Sequence, residues 1–152
     1  MKILMVCLGN ICRSPMADGL LRKKVNDLGL DWTVDSAGTA DFHVGKPADP
    51  RMRKTALSFN VSLEELRARQ FTVSDFDDFD LIYAMDSSNL SNILQHARNE
   101  GDSRKVALIL NELYPGKNLE VPDPYYGGEQ GFVDVYNMLD EATNRIIEKL
   151  RK

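Results

Sequence analysis

KILMVCLGNICRSP, residues 2–15, sets out a strand, a tight loop and the start of a helix in one stretch. KILMVC (2–7) is a short apolar run rich in strand formers. LGNICR (8–13) breaks it, because Gly9 permits unusual backbone dihedrals and Asn10 tolerates the left-handed region. Ser14-Pro15 then opens a helix: Ser14 can cap, Pro15 suits the first helical position, and Asp18 falls in the first turn near the positive helix end. Met16, Ala17, Leu20, Leu21, Val25 and Leu28 recur at helical spacing, and Gly29 ends the run.

Outward from this stretch the pattern repeats. Residues 31–37 (DWTVDSA) read as a second strand closed by Gly38. A loop with Gly45, Pro47 and Pro50 leads to a short helix from Pro50 to Phe59. Thr72 with Asp75 resembles a capping box. Residues 80–85 (DLIYAM) read as a buried strand. Asp86 or Ser87 caps a helix carrying Leu90, Ile93, Leu94 and Ala97 that stops near Gly101. Residues 105–110 (KVALIL) form a fourth strand, a loop with Pro115, Pro122 and Pro124 follows, and 131–152 close the chain as a helix. Apolar strands alternating with helices predict an α/β fold: a parallel sheet covered on both faces, in a single domain over residues 1–152. Ligands of such sheets bind beyond the carboxyl ends of the strands, so the loop after the first strand is the first place to look for a site.

Composition narrows the function classes. The 43% hydrophobic and 28% charged content are ordinary globular values. The longest apolar run, ILMVCL (3–8), is far below the roughly 20 residues of a membrane span, and it does not read as a signal peptide. A formal charge of −4 without a basic tract argues against nucleic acid as a partner. Cys7, Cys12, His43 and His96 are all the Cys and His the chain has, too few at ordinary spacing for a four-ligand zinc site. No metal is expected, and a reducing cytoplasm with free thiols is.

Cys7-Leu8-Gly9-Asn10-Ile11-Cys12-Arg13-Ser14 suits a phosphate. A loop curling here aims successive N–H groups inward and runs into a helix N-terminus. Arg13 adds a planar guanidinium that can grip two oxygens. Cys7, at the strand end, lies in the same positive field, which favours a thiolate, and a thiolate facing phosphorus is a nucleophile. Ser14 can donate a hydrogen bond to that sulfur. The plainer alternative is a small buried cysteine and a surface arginine. The Cys-x5-Arg spacing alone is weak; the strand before, Gly9 and Asn10 within, and Ser-Pro and the helix after make it specific.

An oxygen leaving group displaced from phosphorus by such a thiolate needs a proton, and the loop contains no acid. Asp123 is the best candidate. It lies in the proline-rich loop after the fourth strand, at the same sheet end, stiffened by Pro122 and Pro124. Tyr125 and Tyr126 follow and can wall a substrate ring. The alternative is an Asp-Pro turn with two packed tyrosines. His43 and His96 read as surface or loop residues, and the acidic run 75–80 as a solvated turn.

VCLGNICRSPMA (6–17) is similar to the N-terminal signature of the low-molecular-weight protein tyrosine phosphatases. DSAGT (35–39), DPR (49–51), RARQ (67–70), YAMD ending at Asp86, and DPYYG (123–127) resemble family segments in family order. The resemblance implies a flavodoxin-like, three-layer fold with strand order 2-1-3-4. It implies hydrolysis of tyrosine-phosphorylated protein or peptide through a phosphocysteine, with no cofactor and with inorganic phosphate as product and inhibitor. Asp123 then serves as acid and afterwards as base. Asn10, Ser14 and Ser36 match the groups that hold the phosphate loop, and Cys12 matches a second loop cysteine able to form a reducible disulfide with Cys7 under oxidation. Two departures stand out. Phe42 occupies the place of a common Trp as substrate wall. Leu66 occupies the place of a His that precedes the xARQ segment in animal members, so that polar link to the loop is missing. Other functions compete on this scaffold: arsenate reduction with an external thiol, phosphoarginine hydrolysis, or a non-catalytic phosphate-binding or phosphocysteine carrier module. Phosphoarginine phosphatases of this family carry Thr at the place of Ile11 and lack paired tyrosines, so Ile11, Tyr125 and Tyr126 favour an aromatic substrate.

Overall fold

A computed structural model describes residues 1–125 and 127–151. Its elements run β1 (Lys2–Cys7), α1 (Arg13–Asp27), β2 (Thr33–Gly38), α2 (Pro50–Ser58), α3 (Asp75–Asp78), β3 (Leu81–Ala84), α4 (Ser87–Gln95), α5 (Glu100–Arg104), β4 (Val106–Leu108), a 3₁₀ turn at Ile109–Glu112, and α6 (Glu129–Leu150). The strands form one all-parallel sheet in the order β2-β1-β3-β4. The expected α/β architecture and strand order are therefore observed.

The strand period of two explains the layers. Ile3, Met5 and Cys7 of β1 point into a core shared with Met16, Leu20 and Leu21 of α1 and Phe132, Val135 and Leu139 of α6. Leu4 and Val6 point the other way, toward Phe76 of α3 and Ile93 of α4. Tyr83 and Met85 join the first core and Ile82 and Ala84 the second. Both faces of the central strands are thus dry, which is why they read as unbroken apolar runs. Each fully buried Leu, Ile or Met contributes about 1.5–3 kcal/mol by leaving water.

The structure corrects several boundaries. The first helix begins at Arg13, with Cys12 in the capping position and no side-chain cap. Ser14 is therefore no N-cap, and Asp18 lies beyond the first turn, fully buried. The fourth strand is shorter than KVALIL, because Ile109 and Leu110 turn into the 3₁₀ segment and pack in the first core. After α4 a separate short helix forms, started by Asn99, whose Oδ1 accepts the N–H of Asp102 at 2.9 Å. The acidic run is not simply solvated: Asp75 is buried, accepts the N–H of Thr72 at 2.9 Å and pairs with Arg69 at 3.0 Å. Among the described residues no helix is long and apolar enough to cross a membrane.

Candidate active site

The carboxyl ends of β1 and β3 lie side by side, with Val6 paired to Ala84 and Cys7 to Gly38 of β2. The loop at 8–12 therefore sits between the segments that follow the neighbouring strands. Asn10 takes the left-handed backbone (φ 57°) that curls it. Gly9 sits in a close approach rather than in the unusual dihedrals expected of it. Its φ is not left-handed; a Cβ there would stand 3.0 Å from Cδ2 of His43. A Cβ on Gly38 would meet the carbonyl oxygen of Leu8 at 2.7 Å, so the end of β2 must be glycine for the loop to pass.

Cys7 lies at the floor, 3% exposed, with its sulfur 3.0 Å from the Ser14 hydroxyl. Asn10 Nδ2 donates to the same hydroxyl at 2.8 Å. The hydroxyl has one proton, and the carbonyl of Ala37, at 3.4 Å, is its weaker acceptor. With the Asn10 donation filling a lone pair, the hydroxyl proton is free to point at the sulfur, in the position from which it would stabilise negative charge there. Asn10 Oδ1 in turn accepts the N–H of Arg69 at 3.0 Å, and the Arg69 guanidinium is held by Asp35 and Asp75. The loop is thus braced through Asn10 and Arg69, while Leu66 packs against the first core. Support expected from Ser36 is not found among the described hydrogen bonds. The Ser36 hydroxyl lies beside the Asp18 carboxylate, and β2 meets the loop through Ala37.

Arg13 is 3% exposed although charged. Nη1 donates to Asp86 Oδ2 at 2.6 Å and to the Val121 carbonyl at 3.1 Å, which leaves the Nε–Nη2 edge for a ligand. Burial works against its charge, but the nearby Cys7, Asp86 and Asp123 overcome this and hold its pKa above the usual value. Nη2 stands 3.8 Å from Asp123 Oδ2. The Asp123 side chain is 40% exposed, and Oδ1 accepts the N–H of Tyr125 at 3.0 Å, so the carboxyl is held by its own turn and faces the cleft. Cys12 is buried and pairs with no other sulfur, and burial, followed by the charges of Asp49 and Cys7, pushes its thiol up. It remains protonated and apolar beside its neighbour.

These groups line a cleft of about 300 Å³ with Leu8, Gly9 and Ile11 of the loop and with Phe42, His43 and Tyr125 at the mouth. Phe42 is 68% exposed, an edge rather than a closed wall. Tyr126, expected beside it, lies outside the described residues. The sequence reading missed His43 as a lining residue, since a loop histidine carries no local signal. It also missed Asp86 as the anchor of Arg13. The signal there was indirect: β1 and β3 are neighbours, so a capping carboxylate just after β3 falls beside the loop after β1. Asn89, 1% exposed in the first turn of α4, completes this corner. With its amide nitrogen toward Asp86 Oδ1 (3.0 Å), its oxygen accepts the N–H of Leu8 at 3.3 Å.

The family model for low molecular weight phosphotyrosine protein phosphatases matches residues 2–152. The chain is 42% identical over 152 residues to the protein of that name from Schizosaccharomyces pombe, covering 98% of this chain and 96% of that one. The crystal structure of a protein tyrosine phosphatase from Entamoeba histolytica matches with a TM-score of 0.92 at 41% identity, over 99% of this chain and 97% of that one. That of a Drosophila arginine phosphatase also matches with a TM-score of 0.92, at 32% identity, over 100% of this chain and 99% of that one.

Proposed function

The chain belongs to the low molecular weight phosphotyrosine protein phosphatase family, and from that premise we propose that it hydrolyses phosphotyrosine in proteins or peptides through a phosphocysteine on Cys7. The observation that carries this is the disposition of three groups around one cleft. The Cys7 sulfur lies 3.0 Å from Ser14 Oγ, Arg13 offers its free edge, and Asp123 stands beyond Arg13 Nη2 at 3.8 Å.

In the first step the thiolate attacks phosphorus in line, a sulfur–phosphorus bond forms, and the phosphorus–oxygen bond to the phenol breaks. Arg13 and the loop amides hold the equatorial oxygens, whose charge they match. Asp123 gives its proton to the departing phenolate. In the second step the Asp123 carboxylate takes a proton from water, the water oxygen attacks phosphorus, and the sulfur leaves as thiolate under the Ser14 hydroxyl. Inorganic phosphate is the product, and it competes for the same cradle. Arsenate reduction, phosphoarginine hydrolysis and a carrier role are not favoured. The arginine phosphatase shares the fold, so the fold does not separate substrates; Ile11 and Tyr125 at the cleft favour a flat aromatic ring.

The test is a phosphopeptide panel of phosphotyrosine, phosphoserine and phosphoarginine, with native protein and Cys7→Ser. The native protein should release phosphate from phosphotyrosine most efficiently. Cys7→Ser should lose turnover and still bind a phosphate analogue, because binding belongs to the amides and Arg13. Substantial turnover by the serine variant would refute the covalent route.

Oxidation is the predictable weakness of such a thiolate, and its reduced state suits a cytoplasmic setting. We infer that Cys12 captures the Cys7 sulfenic acid formed by peroxide, giving a disulfide and water. Cys12→Ser should then turn thiol-reversible inactivation into irreversible loss at the same peroxide dose. Equal thiol rescue of both proteins would leave Cys12 a packing residue only.

A further inference from the structure

One cation behind the Tyr125 edge of the cleft is fixed more firmly than a surface position requires. Arg51 lies in the first turn of α2, its side chain 45% exposed. Nε donates to Asp49 Oδ1 at 3.1 Å, Nη2 to Asp49 Oδ2 at 3.0 Å, and the backbone N–H of Arg51 to Oδ1 at 2.8 Å. Asp49 is the N-cap of α2, and its own N–H donates to the carbonyl of Ile11 at 2.8 Å. The carboxylate that orients Arg51 is therefore tied to the phosphate loop. The guanidinium carbon then lies 5.2 Å from the centroid of the Tyr125 ring and 4.8 Å from that of Phe132. Phe132 is buried in α6 and forms a fixed backing.

We propose that Arg51 is a positioning residue that sets the aromatic wall of the cleft and so favours aryl over alkyl phosphomonoesters. The proposal rests on the phosphotyrosine reading above. Its physical basis is a stack with one rigid end. Phe132 is buried, Asp49 holds the guanidinium by two bonds, and the guanidinium carbon lies within cation–π reach of the Tyr125 ring. The wall is thereby ordered before the substrate arrives, which spares the substrate the cost of ordering it. Asp49 is buried and caps α2 whether or not the Arg51 guanidinium is present, so replacing the side chain of Arg51 leaves the cap bond to its backbone N–H in place.

The experiment compares native protein, Arg51→Met and Arg51→Lys on a phosphotyrosyl peptide and on glycerol phosphate, with inhibition by inorganic phosphate measured for each. In Arg51→Met the KM for the phosphotyrosyl peptide should rise about three- to tenfold, the range of one cation–ring contact. The preference for aryl over alkyl substrate should fall by the same factor, while the inhibition constant of phosphate changes by less than about twofold. Arg51→Lys, which keeps a cation but loses the two-pronged hold on Asp49, should fall between. It also carries the test should the methionine variant melt early. An unaltered aryl preference in a folded variant would overturn the proposal. So would a parallel rise in KM and phosphate inhibition constant, which would put Arg51 in the cradle rather than at the wall. A native enzyme without preference for phosphotyrosine would overturn the functional reading itself, and this proposal with it.

Discussion

Asp18 is fully buried in α1; Oδ1 accepts both Arg22 Nε at 3.1 Å and Nη2 at 2.9 Å, while Oδ2 has no hydrogen-bond partner among the described residues. Burial raises its pKa from 3.8 to about 6, more than Arg22 lowers it. A carboxyl raised on folding stabilises the native state fully below its unfolded pKa, and that contribution is lost as pH climbs through the folded value. Native protein should therefore lose on the order of 2 kcal/mol between about pH 4 and pH 7 from this one group. Asp18→Asn removes the titration, so its stability relative to native should rise over that window. Urea unfolding of both proteins at pH 4.5 and pH 7 measures it; a gap independent of pH would refute the assignment. At this scale the sequence was readable where chemistry is local. Cys7, Asn10, Arg13 and Ser14 are neighbours in one loop, and their types, set between a strand and a helix start, point to a phosphate cradle. It was not readable where burial decides: Asp18 looked like an ordinary first-turn acid, and only the packing of α1 against the sheet shows what it costs.

Among the elements, α4 has the least obvious influence on the site. Asp86 caps it through Oδ1, which accepts the Asn89 N–H at 2.8 Å, and uses Oδ2 to anchor Arg13 at 2.6 Å. One carboxylate thus starts a helix and aims the guanidinium that we propose grips phosphate. Asp86→Asn keeps an acceptor for the cap but removes the charge-assisted bond to Arg13. A charged hydrogen bond contributes about 1.5–3 kcal/mol, so phosphate inhibition should weaken and kcat fall by about tenfold or more. Thermal melting reports whether the cap survives. A folded variant with native phosphate affinity would mean that Val121 alone positions Arg13. The strand that leads to Asp86 was recognised from DLIYAM, and the sequence left the cap between Asp86 and Ser87, which the structure resolves to Asp86. Its second role needs the neighbour relation of β1 and β3, which no local pattern contains.

On the scale of the whole molecule, segments distant in the chain meet at one sheet end. The loop after β1 supplies Cys7 and Arg13, the proposed nucleophile and phosphate grip, the loop after β2 supplies Phe42 and His43, the residues after β3 anchor Arg13, and the long connection after β4 brings Asp123 and Tyr125. The sheet was legible because its strands are dry on both faces and read as apolar runs separated by helical periods. The helix boundary at 14–15 was misread because a hydroxyl serves a cap, a neighbour's carboxylate or a thiol equally well until the backbone is placed. The central claim is that two of these distant segments act as one device, Cys7 breaking the ester while Asp123 protonates the phenol. The most direct test is the rate of the phosphorylation step in Asp123→Asn, measured on phosphotyrosine and on an aryl phosphate whose phenol is far more acidic. The substitution preserves shape and hydrogen bonding but removes the proton. The rate on phosphotyrosine should fall roughly 10²–10⁴-fold, the usual worth of general acid catalysis, and clearly less on the activated ester, whose phenolate departs almost unaided. Equal losses on both substrates would contradict the account and leave Asp123 a shaping residue only.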